Sequence, residues 1–328
     1  MQSNIGRWQK AVRKYKESLG MKKVNILMPT YNGEKYLRCQ LDSILAQTYK
    51  NIDIYIRDDG STDNTIQIID EYCAKEYEGI RFIKVDSNGK NLGYPDCFWE
   101  LVRSADDADY YSFGDQDDWW DPRKIELAVK SLEKVPEGKP AMTYCAFDYY
   151  DQNMKFIRKG DNYDGQLSFE KGMYYTFAPG FTQVVNRALI QTLDIDYIFG
   201  KGLAHDIWCQ WIATSMGMII PEKQILAKYR RHSSAVTSAN ASVAASVKRW
   251  LEKEILGDEM IKWKRSLCCF TKEYYKNVKE QEKKTLQIFA NNKKTMGIRL
   301  KKVFYRKRLR PTLGGEAALR VLFLIGKC

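Results

Sequence analysis

From residue 24 onward the chain alternates between two hydrophobic periods. VNILMP (24–29) reads as a buried strand stopped by proline, YLRCQLDSILAQ (36–47) repeats its apolar positions every three or four residues, and IDIYIRDD (52–59) reads as a second strand. TDNTIQIIDEYCAKEY then reads as a helix opened by a Thr/Asp cap, IRFIKVD (80–86) as a strand, FWELVRSA as a helix and DYYSFGD as a strand. Short runs buried on both faces mark strands of a covered sheet, and a single apolar stripe marks a helix packed on it. Their strict succession predicts an α/β fold with a doubly wound, mostly parallel sheet and right-handed crossovers. In such sheets ligands bind beyond the carboxyl ends of the strands.

Beyond Lys124, IELAVKSLEKV predicts a helix and AMTYCAFDYYD a strand. GMYYTFAPGFTQVVNRALI reads as a loop and strand running into a helix, HDIWCQWIATSMG as a helix opened by Asp206, and IIPEKQILAKYRRHSSAVT as strand, turn, strand and polar loop. After Asn240 the sequence turns helical and Lys-rich with no strand pattern. A main domain is therefore expected over 21–240 and a basic helical extension over 241–328. At the start, residues 1–20 space Ile5, Trp8, Val12, Tyr15 and Leu19 three or four apart among basic residues. That pattern predicts a basic amphipathic helix, lying on an anionic membrane surface or docked on its own domain.

The net charge of +12 is unevenly placed: Lys and Arg outnumber Asp and Glu by 22 to 8 from Ala245 to Cys328, against 31 to 33 over the rest. A nucleic-acid-binding face on the main domain has the wrong sign, and no nucleic acid partner is expected. The tail segment RLKKVFYRKRLR (299–310) interleaves seven basic residues with Leu300, Val303, Phe304 and Leu309. Such a segment suits an anionic leaflet, or packing on the domain or a second subunit, which leaves a homo-oligomer open. The eight cysteines show no CxxC spacing or zinc-type clustering, as expected of buried reduced thiols in a reducing cytoplasm. No apolar run reaches the roughly 18 to 20 residues of a membrane span, and the N-terminus lacks a signal-type apolar region. The expected location is the cytoplasm, peripheral at the inner face of the plasma membrane.

The chemistry gathers where strands end. SFGDQDDWWDPRK (112–124) crowds Asp115, Asp117 and Asp118 at the close of an apolar run. Carboxylates so placed repel one another unless a cation lies between them. Asp115 and Asp117 form a D-x-D that can converge on a hard divalent ion, Mg²⁺ or Mn²⁺, whose remaining shell a substrate diphosphate would fill. In RDDGSTDNT (57–65), Gly60 permits a tight turn and Ser61, Thr62 and Asp63 can cap the next helix, while the doubled aspartate faces the crevice.

PTYNGEKYLRCQLDSILAQTY, RDDGSTDNT, DQDDWW and HDIW occur in that order. Together they resemble the family 2 glycosyltransferases of the GT-A fold over about residues 22–236. The resemblance implies inverting transfer of a sugar from a nucleotide-diphosphate donor to a glycan or lipid-linked glycan acceptor. It implies Asp206 as the catalytic base, and Asp117 as the metal ligand with His232 near the metal and phosphates. Pro29 and Tyr31 would line the base, Asp59 would accept its ring N–H, and Asp115 would sit near the ribose. Glu34, Asn91, Gly93, Gln116, Trp119 and Arg231 complete the donor-binding set, with Arg230 a further candidate for the phosphates. Trp119 and Trp120 could wall the sugar or acceptor, with at least one expected in the core; Trp208 and Trp211 are expected in the core.

DQDDWW followed by HDIW looks most like bacterial rhamnosyltransferases that use dTDP-rhamnose in capsule or cell-wall polysaccharide synthesis. UDP-glucose, UDP-galactose and UDP-N-acetylhexosamine remain alternative donors. Outside this class, a nucleotidyltransferase would need a Gly-rich phosphate loop after the first strand, which PTYNGEKY is not. A basic nucleic-acid-binding protein would leave the acid clusters unexplained.

Overall fold

A computed structural model describes residues 20–160, 167–232, 251–291 and 295–327. The N-terminal helix expected over 1–20 lies almost wholly outside the described residues.

The chain forms two compact units, interleaved in sequence: residues 1–161, 178–209 and 218–230 make the first, and 162–177, 210–217 and 231–328 the second. The first unit opens as the sequence pattern requires: β1 (Val24–Thr30), α1 (Leu37–Leu45), β2 (Ile52–Asp58), α2 (Thr65–Cys73), β3 (Ile80–Val85), α3 (Asp96–Ser104) and β4 (Tyr110–Phe113). These four strands pair in parallel in the order β3-β2-β1-β4. All seven residues of β2 are buried although apolar and polar positions alternate, because Asp53 pairs with Lys23 and Arg81 and Arg57 pairs with Asp59. Leu37, Gln40, Leu41, Ser43 and Ile44 form the buried stripe of α1.

Past β4 the sheet changes sense. β5 (Trp119–Trp120), α4 (Lys124–Leu132), β6 (Ala141–Asp151), β7 (Phe156–Lys159), β8 (Gln183–Asn186), α5 (His205–Ser215) and β9 (Met218–Arg231) follow. β8 runs antiparallel between β4 and β6, and β5 pairs antiparallel with β9. The sheet is thus mixed: its parallel part is the one the strand–helix succession predicts, and its antiparallel part rests on pairing between distant segments.

Two local readings differ. The stretch after Gly217 is one 14-residue strand through Pro221, not strand, turn, strand. Met218 to Gln224 are largely exposed, and proline is tolerated where no ladder partner needs its missing N–H. The tryptophans of DQDDWW form a two-residue strand, Trp119 opposite Lys228 and Trp120 opposite Ala227.

The second unit is helical around an aromatic core. α6 (Glu259–Tyr274), α7 (Glu280–Phe289), α8 (Met296–Val303) and α9 (Leu313–Leu324) carry it, with a π-helical turn at Leu251–Leu256. Phe169 stacks on Phe270 at 5.7 Å, Trp211 meets Phe270 edge-on at 5.4 Å, and Tyr174 meets Phe323 at 5.6 Å. The basic tail is folded into this core: Leu309 and Lys302 are buried, Lys307 pairs with buried Glu170, and Arg310 pairs with Glu254 at 3.0 Å. Leu300 and Phe304 nevertheless stay exposed. No described helix is long and apolar enough to cross a membrane.

Candidate active site

The first unit gathers its polar residues where β1, β2 and β4 end. Asp58 is consumed by the turn after β2: its carboxylate accepts from the Gly60 and Ser61 N–H groups at 3.1 and 2.8 Å and from the Thr30 hydroxyl at 3.0 Å. Gly60 sits at φ +91, a conformation that side chains resist. Asp59 reaches the other way. Its carboxylate accepts from Leu92 N–H at 2.8 Å and Gly93 N–H at 2.7 Å, and pairs with buried Arg57. Arg57 in turn donates to the Lys90 carbonyl at 2.8 Å. Asp59 therefore ties the end of β2 to the 90–93 loop, some 30 residues later in sequence.

Tyr31 and Gln116 are brought together from β1 and β4. Gly33 packs so close to the Gln116 amide that an added Cβ would lie 2.2 Å from Oε1. Pro29 closes β1 beside them, opposite Arg57. Glu34 turns to the start of α2, where its carboxylate accepts from Asn64 N–H and Nδ2 at 3.0 and 2.8 Å. Asn64 stands at the cap of α2, and Asp63 before it accepts from Thr65 N–H at 3.0 Å.

The acidic loop behaves as its crowding demands. Burial, then Asp117 and Asp206, push the Asp115 carboxyl up to about 7. Asp118 is raised well above the carboxylate range by burial and by Asp117 and Asp115. Its Oδ1 accepts from Arg230 N–H at 3.1 Å, while its buried Oδ2 takes no hydrogen bond. This mutual repulsion fits a divalent cation, which would reverse each shift. Among the described residues no group of three or more His, Cys, Asp or Glu side chains is arranged to hold a metal by itself. Oxygens of a bound diphosphate would have to supply part of the shell.

Arg230 is spent on structure: it donates to the Asp117 carbonyl at 2.6 Å and the Gln152 carbonyl at 2.9 Å, and lies over the Tyr36 ring at 4.7 Å. Arg231 and His232, at and just past the end of β9, fall in the second unit. Trp120 is wholly buried, whereas Trp119 is half-buried under the Lys228 ammonium at 4.1 Å. Trp208 and Trp211 are core residues, as their spacing predicts.

Asp206 stands in the first turn of α5; the helix begins one residue earlier, at His205. Its Oδ1 accepts from Ile207 N–H at 2.8 Å. Burial pushes its carboxyl up to about 6, against the Ile207 N–H hydrogen bond that favours the charged form. A carboxylate half protonated near pH 6 is poised to accept a proton at neutral pH. His205 beside it is buried, its ring 3.9 Å from Phe98 and 4.5 Å from Phe113. Burial pushes its imidazole down to about 3, so it is a neutral wedge rather than a base.

Sequence reasoning passed over two residues here. Tyr94 stands edge-on to His205 at 6.0 Å, beside Asp206, and its only signal was its place in the loop after Asn91. Lys124 is buried under the acidic loop, 3.3 Å from the Ser112 hydroxyl and 3.5 Å above the Trp120 ring. Burial lowers its ammonium to about 8. A lysine in the first turn of a helix looks solvated in a sequence, so only the packing reveals it.

A mixed sheet with its carboxylates at the strand ends, and a further acid at a helix start, defines a nucleotide-sugar-type transferase site. The family model for glycosyl transferase family 2 matches residues 25–195, and the chain belongs to that family. A dTDP-rhamnosyl transferase, RfbG of Shigella flexneri, is 30% identical over 248 residues, 70% of this chain and 82% of that one. The first 349 residues of S. aureus TarS, solved with UDP-GlcNAc, superpose with a TM-score of 0.54 at 18% identity, over 92% of this chain and 89% of that one. The mannosyltransferase PcManGT of Pyrobaculum calidifontis, solved with GDP-Man and Mn²⁺, gives 0.50 at 14% identity, over 93% and 86%. The chain spans between 66% and 82% of the length of the first curated relatives it matches. The fold is GT-A, and the protein is a glycosyltransferase.

Proposed function

We propose that this glycosyltransferase moves L-rhamnose from dTDP-rhamnose, with inversion, onto a growing lipid-linked capsule or cell-wall polysaccharide. The observation that carries the transfer chemistry is Asp206, a carboxyl held near 6 at a helix start and electrostatically coupled to Asp115 of the D-x-D loop. Asp206 takes the proton of the acceptor hydroxyl as its oxygen attacks the anomeric carbon. The bond to the diphosphate breaks on the opposite face, which inverts the centre. Asp117 would hold Mg²⁺ or Mn²⁺, whose charge would stabilise the departing diphosphate. Pro29, Tyr31 and Asp59 take the base, with Gln116 setting Tyr31. Asn91, Gly93, Asp115 and Trp119 line the ribose, phosphates and sugar, and Glu34 holds the loop beside them.

The rhamnosyl donor is supported by the RfbG relative. A UDP-hexose or UDP-N-acetylhexosamine donor is the second reading, favoured by the UDP-GlcNAc bound to the fold neighbour TarS. Residues 21–240 are read as the catalytic domain and 241–328 as a helical extension that meets an anionic membrane surface on the cytoplasmic side. Exposed Leu300 and Phe304 beside Lys301 and Arg306 support that contact. A thermal-shift panel of dTDP-rhamnose, UDP-glucose, UDP-galactose and UDP-N-acetylglucosamine, each with Mn²⁺ or chelator, tests the donor. A Mn²⁺-dependent rise with dTDP-rhamnose alone supports the first reading; a rise with a UDP-sugar alone replaces it with the second.

A further inference from the structure

The antiparallel part of the sheet carries a row of side chains that the donor reading uses at one end only. β7, β6, β9 and β5 lie side by side. Phe156 pairs with Tyr150 across the first two of these strands, and Lys228 with Trp119 across the last two. Directly opposed residues share a face of the sheet. The Tyr150 and Phe156 rings meet edge-on at 5.8 Å, and the Lys228 ammonium lies 5.2 Å from the Tyr150 ring and 4.1 Å from the Trp119 ring. Their neighbours along the strands point the other way: Trp120 and Ala227 are buried, and Tyr149 and Tyr229 pack on the core. Phe156 is 51% exposed, and Tyr150, Lys228 and Trp119 are half-buried. Three inter-strand steps make the row roughly 14 Å long. Contiguous outward rings mark a binding surface where isolated ones do not.

The row is anchored to the site. Trp119 follows the acidic loop directly in the chain. The Arg230 guanidinium donates both to the Asp117 carbonyl at 2.6 Å and to the Gln152 carbonyl, in the turn between β6 and β7, at 2.9 Å. That turn is itself fixed: the Asp151 carboxylate accepts from the Asn153 and Lys155 N–H groups at 2.9 and 2.8 Å, and the Gln152 side chain accepts from Lys35 Nζ at 3.3 Å. We infer that Trp119, Tyr150 and Phe156 form a track for a saccharide acceptor, whose successive residues lay their apolar C–H faces on these rings as the chain leads away from its reacting end. Lys228, between two of the rings, holds them in line. An acceptor of one sugar would need Trp119 alone, so the length of the row selects a chain. The inference rests on the proposed function, in which the acceptor is a growing polysaccharide.

The test uses the full chain as wild type, Phe156→Ala, Tyr150→Ala and Tyr150→Phe, with no donor present. Isothermal titration compares a tetrasaccharide of α-linked L-rhamnose with methyl α-L-rhamnopyranoside, and maltotetraose with methyl α-D-glucopyranoside. In the wild type one of the tetrasaccharides is expected to bind about tenfold or more tighter than its single-sugar counterpart. Phe156→Ala and Tyr150→Ala should each weaken that tetrasaccharide about 3- to 10-fold, and Tyr150→Phe should hold it within about twofold, because the ring and not the hydroxyl stacks. Thermal melts check that each variant folds; should Phe156→Ala melt early, Phe156→Leu, which keeps an apolar side chain without a flat ring, gives the same reading. No binding of either tetrasaccharide, equal affinity for chain and single sugar, or wild-type affinity in both alanine variants overturns the track. Sedimentation velocity adds one further outcome: an oligomer that Phe156→Ala dissociates, with no saccharide bound by the wild type, gives the row to a second copy and overturns the track as well. Neither donor nor turnover enters the measurement, so failure of the donor panel falls on the transferase reading and failure here falls on the row.

Discussion

Tyr31 and Gln116 exchange two hydrogen bonds: the Tyr31 N–H donates to Oε1 at 2.9 Å, and Nε2 donates back to the Tyr31 carbonyl at 2.9 Å. The amide of the acidic loop thereby fixes the backbone of a residue 85 positions earlier. The Tyr31 ring is left 51% exposed, free to stack on a base.

Gln116→Glu keeps an acceptor for the Tyr31 N–H but sets a carboxylate against its carbonyl. Loss of about 1 kcal/mol from the pair is expected to weaken nucleotide-sugar affinity roughly fivefold. The melting temperature should change little. Isothermal titration with the donor that passes the thermal-shift panel gives the answer; unchanged affinity would remove Gln116 from the donor site.

Asp206→Asn is expected to lower transfer by about 10²- to 10⁴-fold, the usual worth of a positioned base. Donor affinity should stay within about threefold, because the donor groups are untouched. In the wild type the acidic limb of the rate profile should fall near pH 6, where the Asp206 carboxyl titrates. Parallel loss of rate and donor binding would count against the role.

The raised carboxyls also make a stability prediction. Asp115 at about 7 and Asp206 at about 6 bind protons more tightly folded than unfolded, where the ordinary value is 3.8. Their protonation therefore favours the folded state at low pH, and that contribution is lost as pH rises from about 4 to about 7. A divalent cation should offset the loss. The rise in melting temperature on adding Mn²⁺ with nucleoside diphosphate is expected to be larger at pH 8 than at pH 5, and an equal rise would argue against a cation among these groups.

Gly180→Ala places a Cβ 2.4 Å from the His205 Nε2. The imidazole is wedged between Phe98 and Phe113 and has nowhere to go. A cost of about 1–3 kcal/mol is expected from such overpacking, read by urea denaturation. Activity should fall with it, since Asp206 follows His205. A neutral substitution would mean that the aromatic box yields.

Phe304→Glu and Leu300→Glu alter side chains that are 76% and 41% exposed. Both are expected to leave the melting temperature nearly unchanged while reducing binding to vesicles of phosphatidylglycerol and phosphatidylcholine several-fold. Equal vesicle binding by wild type and variants would place the membrane contact elsewhere or nowhere.

What could be read from the chain by itself was what depends on near neighbours. The parallel strands β1 to β4 and the helices between them were legible because burial on two faces and burial on one leave different periods. The placement of the acidic loop after β4 and of Asp206 in the first turn of a helix was legible because both follow from where an apolar run ends or a helical period begins. Tertiary structure alone decided the rest. Lys124 and Arg230 look like solvated cations in the sequence, but the folded chain buries both and spends them on Ser112, Trp120 and the Asp117 carbonyl. The WW pair looks like a wall and becomes a strand, because β9, over a hundred residues later, supplies the partner. Asp59 meets the Leu92 and Gly93 backbone more than thirty residues on, which nothing near it in the chain records. Periodicity records whether a side chain is buried, whereas a partner distant in sequence leaves no local trace of which group it will meet.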